Sequence, residues 1–425
     1  MDKYTRELFI YRIQYISYSI SNNGGDFMDF WKKYSDDSPS NSRKRCSNHS
    51  KPLAETDCLK DIKTTLKLCT DHTVSLLLSG CSNPIQGQIS NVGNGSIVFI
   101  TDNGTSVISI YNILSITSIP LAYVTNGDVH TVSVINTLTN TVISAPIPVG
   151  TAPSGITITP DGTRAYVTNR LDDTVSVINT LTNTTIGAPI SVESGPSGIA
   201  ITPNGTRAYV TNSTANTVSV INTSTNTTIG APISVESGPS GIAITPNGTR
   251  AYVTNSTANT VSVIDTSTNT TIGAPIPVGA DPSGIAITPD GTRVYVTNSA
   301  ANTVSVIDTS TNTSIGAPIP VGTTPIGIAI TPDGTRAYVT NFSASSVSVI
   351  NTSTNTTIGA PIPVGTTPIG IAITPDGTRT YVTNVTANTA SVINTSTNTF
   401  TNTSIGAPIP VGTTPIGIAI SPSCI

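Results

Sequence analysis

The chain is short of charge, of lysine outside its start, and of the residues that usually do chemistry. Of its 425 residues 10% are charged and the net charge is −4. All eight lysines, Lys3 to Lys67, lie in the first 67 residues. From residue 91 onward seven arginines face thirteen acids, a balance of −6. A nucleic-acid binder neutralises phosphates with clustered Lys and Arg, so the composition excludes DNA and RNA as partners. There are three histidines (His49, His72, His130) and one tryptophan, Trp31. That scarcity argues against a multi-histidine metal or haem centre, and no metal or other cofactor is expected. No Gly-x-Ser-x-Gly elbow is present. No apolar run reaches the ~18 residues that cross a bilayer, so no transmembrane segment is expected. The N-terminus does not read as a signal peptide, because Arg12 and Gln14 interrupt its apolar stretch and no small-residue cleavage site follows.

Cysteine is sparse and badly spaced for zinc. Cys46, Cys58, Cys69 and Cys81 cluster near the N-terminus, Cys424 lies at the far end, and no Cys-x-x-Cys pair occurs. Residues 1–52 read as a loosely ordered leader and linker, polar and serine-rich from Ser35 to Lys51. Leu53 to Cys69 has the spacing of an amphipathic helix, with Leu59, Ile62, Leu66 and Cys69 on one side. On such a helix Cys58 and Cys69 stand ~16 Å apart along the axis, too far to bond to each other. Two readings stay open: small buried residues, or candidate cross-links, either to Cys46 and Cys81 or between molecules, with Cys424 a further candidate for bonding to a neighbouring molecule. Leu78-Ser79-Gly80-Cys81 looks like a lipoprotein cleavage box, but Asp71 and His72 precede its short apolar core. Residues 53–118 are expected to form a Cys-bearing helix plus β-hairpin module.

What the chain has in abundance is repetition. Tyr-Val-Thr-Asn begins at Tyr123, Tyr166, Tyr209, Tyr252, Tyr295, Tyr338 and Tyr381, in steps of 43 residues. A fixed period of that length signals a repeat architecture. Each unit reads as four short strands. The Tyr-Val-Thr-Asn strand is followed by a Val-Ser-Val-Ile strand. A proline-containing strand such as Thr185–Val192 comes next, then a Gly-Ile-Ala-Ile strand. Pro-Asp-Gly or Pro-Asn-Gly turns lead back to the next Tyr-Val-Thr-Asn. Four antiparallel strands per repeat is the unit of a β-propeller blade. Seven strands of each kind predict an all-β fold, a seven-bladed propeller over 119–423. Its last Gly-Ile-Ala-Ile strand, from Gly417, completes the first blade. Residues 182–221 are identical to 225–264, as after a blade duplication.

The motif Pro-Asp-Gly-Thr-Arg-x-Tyr-Val-Thr-Asn, as at 160–169, resembles the YVTN β-propeller repeat family, which implies a surface-layer or secreted protein. The WD-repeat signature is missing. A weaker resemblance covers Cys58-Leu59-Lys60-Asp61-Ile62, Ser79-Gly80-Cys81-Ser82-Asn83-Pro84-Ile85-Gln86-Gly87 and the β-like Ile97 to Gly104. These look like cysteine-rich spore-coat and exosporium proteins, which implies cross-linking through Cys58, Cys69 and Cys81.

Repeated positions are scaffold first, so a site should sit where the copies differ. Those residues collect on one loop face: Asp128, His130, Arg170, Asp172 and Asp173 after Tyr-Val-Thr-Asn, and Glu193, Glu236 and Asp281 ahead of Gly-Ile-Ala-Ile. Phe342 adds an aromatic expected to be exposed there. The first expectation is a non-enzymatic surface protein, extracellular or on a cell or spore surface. It would bind protein or cell-surface components and self-assemble through cysteines. The second is a secreted propeller enzyme, lactonase- or hydrolase-like, with its site on the acidic loop face.

Overall fold

The computed structural model describes residues 73–78, 85–92, 96–101, 104–109, 113–395 and 404–423. The five cysteines, the expected helix over 53–69 and the leader lie outside them. Among the described residues no helix is long and apolar enough to cross a membrane.

Residues 73–118 form one antiparallel sheet of five strands: β1 (Thr73–Leu78), β2 (Ile85–Val92), β3 (Ser96–Thr101), β4 (Gly104–Ser109) and β5 (Ile113–Ser118). Their order across the sheet is β4-β3-β2-β1-β5. The stretch weighed as a lipoprotein box thus supplies a sheet strand up to Leu78. Thr101 of β3 pairs with Gly104 of β4 at one end of their ladder, within a larger sheet than the single hairpin expected.

Residues 119–423 form the seven-bladed propeller. Blade 2 shows the pattern: inner strand Pro153–Ile158, second strand Arg164–Asn169, third strand Thr174–Asn179. The second and third strands pair in register from Arg164↔Asn179 to Asn169↔Thr174. The outer strand differs from expectation. It is split into Thr184–Thr185 and Ile190–Ser191, both paired to the third strand. Between them Gly187 takes φ 66° and Pro189 has no amide to donate, so the ladder cannot run through. Blade 1 is closed by the chain's end. Pro415–Ile420 pairs with Leu121–Asn126 and becomes its inner strand.

The second strands are buried on both faces because every blade is sandwiched between two others. Tyr123, Val132 and Val134 of blade 1, for example, pack with Ala165, Val167 and Ile178 of blade 2. Each repeated residue has a task in this stacking. The tyrosine is fully buried, and its hydroxyl reaches the turn of the next blade. Tyr209, for one, donates to Oδ1 of Asn269 at 2.7 Å. The threonine links inner strands: Thr168 accepts from the Gly155 amide at 2.8 Å and donates to the Ser197 carbonyl of blade 3 at 2.7 Å. This link recurs at all seven blade junctions, the last running from Thr383 to the Ile416 carbonyl of blade 1. The asparagine amide donates within its blade, as Asn169 does to Ser176 Oγ at 2.9 Å. The arginines of the motif reach the next blade too, as Arg164 does to the Thr223 carbonyl at 2.6 Å. The recurring decapeptide therefore builds and joins blades.

Candidate functional site

The meander puts two kinds of loop on one face of the propeller. One follows the second strand; the other leads into the inner strand. They are stitched together in every blade. The residue after each Tyr-Val-Thr-Asn donates its amide to the loop ahead of the inner strand, from Gly127 to the Thr414 carbonyl through Val385 to the Thr367 carbonyl, at 2.8–3.1 Å. Seven residues thus occupy equivalent places on this face: Gly127, Arg170, Ser213, Ser256, Ser299, Phe342 and Val385. Next to them, on the inner strands just ahead of the ring glycine, stand Ser154, Ser197, Ser240, Ser283, Ile326, Ile369 and Ile416. All seven of these are partly exposed. The glycine behind them is forced: a Cβ on Gly198 would meet the Ser240 carbonyl oxygen at 2.4 Å.

The fourth residue after the second strand has positive φ in every blade: His130, Asp173, Asn216, Asn259, Asn302, Ser345 and Asn388 lie between 48° and 58°. Asn, Asp and His are the non-glycine residues that enter this region most readily. At five of these positions the side-chain oxygen accepts an amide of the loop entering the next blade, at 2.8–2.9 Å. His130 uses its ring instead: Nδ1 accepts from the Ala152 amide at 3.2 Å. The same nitrogen is 3.0 Å from the Gly127 carbonyl. The position calls for an acceptor, as its equivalents show. When Nδ1 accepts there as its equivalents do, it carries the lone pair and Nε2 carries the proton.

One dipeptide gathers the unusual side chains. Thr151 donates its amide to Asp172 Oδ2 at 2.6 Å. Ala152 donates its amide to His130 and accepts at its carbonyl from the Arg170 amide at 3.1 Å. Asp172 is held below the usual carboxylate range by the bond from the Thr151 amide, then by the Thr151 side chain. His130, Arg170 and Asp172 thus flank a single loop between blades 1 and 2. Arg170 is the only arginine of the propeller on this face; the other six open the second strands at the opposite end. Two exposed apolar side chains, Val129 and Leu171, sit in the same two loops.

The other sequence candidates scatter around the ring. Asp173 is a latch to the Gly195 amide. Asp128 accepts from the Thr414 hydroxyl, and Asp281 accepts from the Ser299 hydroxyl. Glu193 and Glu236 are exposed in the loops that enter blades 3 and 4. Phe342, expected to be exposed, is half-buried, its amide tied to the Thr324 carbonyl at 2.9 Å. Sequence reasoning passed over Thr151 and the ring of serines and isoleucines. The signal for the ring was present: the residue ahead of the inner glycine changes from Ser to Ile between Ser283 and Ile326. Among the described residues no three or more His, Cys, Asp or Glu side chains come together as metal ligands.

Comparison with known proteins adds a family likeness. The family model "Lactonase, 7-bladed beta-propeller" matches residues 110–229 and 180–318. No curated protein matches the sequence. Among solved structures, the periplasmic gluconolactonase of Pseudomonas aeruginosa is similar at 16% identity and TM-score 0.60, covering 72% of this chain and 99% of that one. A Bacteroides uniformis protein assigned as a 6-phosphogluconolactonase has 17% identity and TM-score 0.61, covering 71% and 99%. The hydrazine synthase of Kuenenia stuttgartiensis has 23% identity and TM-score 0.60, covering 64% and 92%. At these identities the structures share the fold. The lactonase match overturns the first expectation from sequence, that of a non-enzymatic surface or spore-coat protein: the family model that fits the repeats is that of an enzyme family. The repeat motif misled because it carries blade construction and says nothing of the loops.

Proposed function

We propose that the protein hydrolyses a lactone at the loop face of its propeller, beside the dipeptide Thr151-Ala152. The observation that carries this reading is the lactonase family match over residues 110–318, which spans the loops holding His130, Arg170 and Asp172. The resemblance of the repeats to YVTN propellers is compatible with it, since that motif builds blades.

The three side chains divide the work. The Asp172 carboxylate, kept ionised by Thr151, accepts a proton from water as the water oxygen attacks the lactone carbonyl carbon. The oxyanion that forms takes a hydrogen bond from His130 Nε2–H and the positive field of Arg170. Fixed donors aimed at a developing oxyanion are each worth about 10²–10³ in rate. The ring C–O bond then breaks, the proton returns to the leaving alkoxide, and a hydroxy acid departs.

The chain supplies its own controls. Other blades carry Asn where His130 stands, Ser where Arg170 stands and Ala where Asp172 stands, as at Asn216, Ser213 and Ala215. His130→Asn, Arg170→Ser and Asp172→Ala therefore borrow residues the scaffold already accepts. The assay is proton release from δ-valerolactone and δ-gluconolactone by the full chain. Each variant should lose about 10²-fold or more in kcat/KM while keeping the wild-type melting curve. Wild-type rates no higher than buffer, or variants as active as wild type, would overturn the reading.

A further inference from the structure

Around the axis the polarity of the ring is not mixed. It is divided into two arcs. Going from blade 2 to blade 5, the inner-strand positions are Ser154, Ser197, Ser240 and Ser283. From blade 6 through blade 7 to blade 1 they are Ile326, Ile369 and Ile416. The neighbouring positions divide at the same places. Arg170, Ser213, Ser256 and Ser299 accompany the serines; Phe342, Val385 and Gly127 accompany the isoleucines. At blade 1 the two rows come close, since a Cβ at Gly127 would lie 3.2 Å from Ile416 Cδ1. In six of the seven blades the two side chains agree on which side is apolar; in blade 1 the second position is Gly127, which carries none.

The boundary between blades 1 and 2 coincides with the Thr151-Ala152 loop. Ile416 ends the apolar arc there and Ser154 begins the polar one, with His130, Arg170 and Asp172 beside the junction. We infer that the mouth takes an uncharged lactone bearing an alkyl substituent. This rests on the hydrolase reading of the same site. The ester group lies at the junction, its oxygens toward the serine arc and its alkyl chain across Ile416, Ile369 and Ile326. The rim argues against a phosphorylated substrate. Asp128, Asp172, Asp173, Glu193, Glu236 and Asp281 surround the mouth with Arg170 as the one opposing cation of these loops, a field that repels a dianion.

The experiment compares δ-decalactone with δ-valerolactone, which differ by a five-carbon chain. Binding is read by calorimetry on the full-length His130→Asn protein, and KM is read on the wild type. The decalactone should bind at least about tenfold more tightly, through burial of its methylenes. The variant Ile326→Ser/Ile369→Ser/Ile416→Ser installs what blades 2 to 5 carry and should reduce that preference to less than about threefold. Should the triple variant melt early, Phe342→Ser with Val385→Ser tests the second row in the same way. Equal affinity for the two lactones, or a preference that survives these variants, overturns the inference. The two readings fail separately. Hydrolysis of both lactones with equal KM keeps the hydrolase and removes the apolar arc from its function. Selective decalactone binding without hydrolysis by the wild type keeps the divided mouth and removes the hydrolase.

Discussion

Leu121 and Ser421, 300 residues apart, hold the ring shut by two reciprocal bonds. The Ser421 amide donates to the Leu121 carbonyl at 2.8 Å, and the Leu121 amide donates to Ser421 Oγ at 2.8 Å. They fasten the strand Pro415–Ile420 to Leu121–Asn126 at its far end. Removing residues 415–425 would leave blade 1 without an inner strand and expose the ladder edge of Leu121–Asn126. Open edges recruit other strands. The truncated protein should therefore elute as oligomer or aggregate by size exclusion and lose its cooperative melt. Ser421→Ala, which removes one bond, should cost only about 1 kcal/mol.

Glycine substitutions should separate two kinds of position. At Gly198 a Cβ would press on the Ser240 carbonyl oxygen at 2.4 Å, and both partners are backbone. Gly198→Ala must push two inner strands apart, at about 1–3 kcal/mol. At Gly230, in an outer-strand bulge, nothing lies within 4 Å and only the φ of 67° resists a side chain. Gly230→Ala should cost about 1 kcal/mol. Chemical denaturation of the two variants checks the order.

Tyr209→Phe tests the tie between blades. The hydroxyl serves Asn269 Oδ1 at 2.7 Å and the Thr266 carbonyl at 3.2 Å. Its removal keeps the packed ring, and the Thr266 carbonyl keeps its bond from Arg207 at 2.6 Å, but Asn269 Oδ1 is left short of a donor, worth about 1–3 kcal/mol. Tyr209→Ala would also open a cavity between blades and should cost about 3–5 kcal/mol.

The turns before the second strands carry a pH dependence that one substitution should remove. Asp290 is held below the usual carboxylate range first by the Thr288 hydroxyl and next by the Thr292 amide. A folded-state pKa below the unfolded one stabilises the fold above the unfolded value. That contribution disappears as pH falls through the folded value, hence below about pH 4. Asn204 makes the same contacts in blade 3, accepting from the Thr202 hydroxyl at 2.7 Å and the Thr206 amide at 3.1 Å. Asp290→Asn should therefore keep the turn and flatten the acid side of the stability curve, as measured by melting between pH 3 and pH 7.

The Nε2–H tautomer of His130 is open to direct measurement. Nitrogen NMR of the imidazole should show a protonated Nε2 and an unprotonated Nδ1 at neutral pH. The reverse pattern would mean that Nδ1 donates to the Gly127 carbonyl, leaving Nε2 without the proton the oxyanion needs.

Much of this could be read before any coordinates. A period of 43 residues, two turn-bounded β runs around each Tyr-Val-Thr-Asn, and a spare Gly-Ile-Ala-Ile strand at the end define seven closed blades, because strand patterning and turn chemistry are local. The loops that break the repeat were equally visible, and His130, Arg170 and Asp172 were among them. Which of the odd residues meet was not visible. Asp128 and Asp173 looked like their neighbours in sequence, yet they are bound to the Thr414 hydroxyl and the Gly195 amide. The split of the outer strand also escaped, since it depends on φ at Gly187.

By itself, then, the sequence determined the blade, the number of blades and how the ring closes. Periodicity and turn residues act over a few positions and need no distant partner. Only the tertiary structure decided that Thr151 and Ala152 draw His130 and Asp172 together across two blades. It alone turned two scattered rows of Ser, Ile and their neighbours into the polar and apolar halves of one mouth. Residues 43 positions apart become neighbours only when the ring sets every inner strand around a common axis.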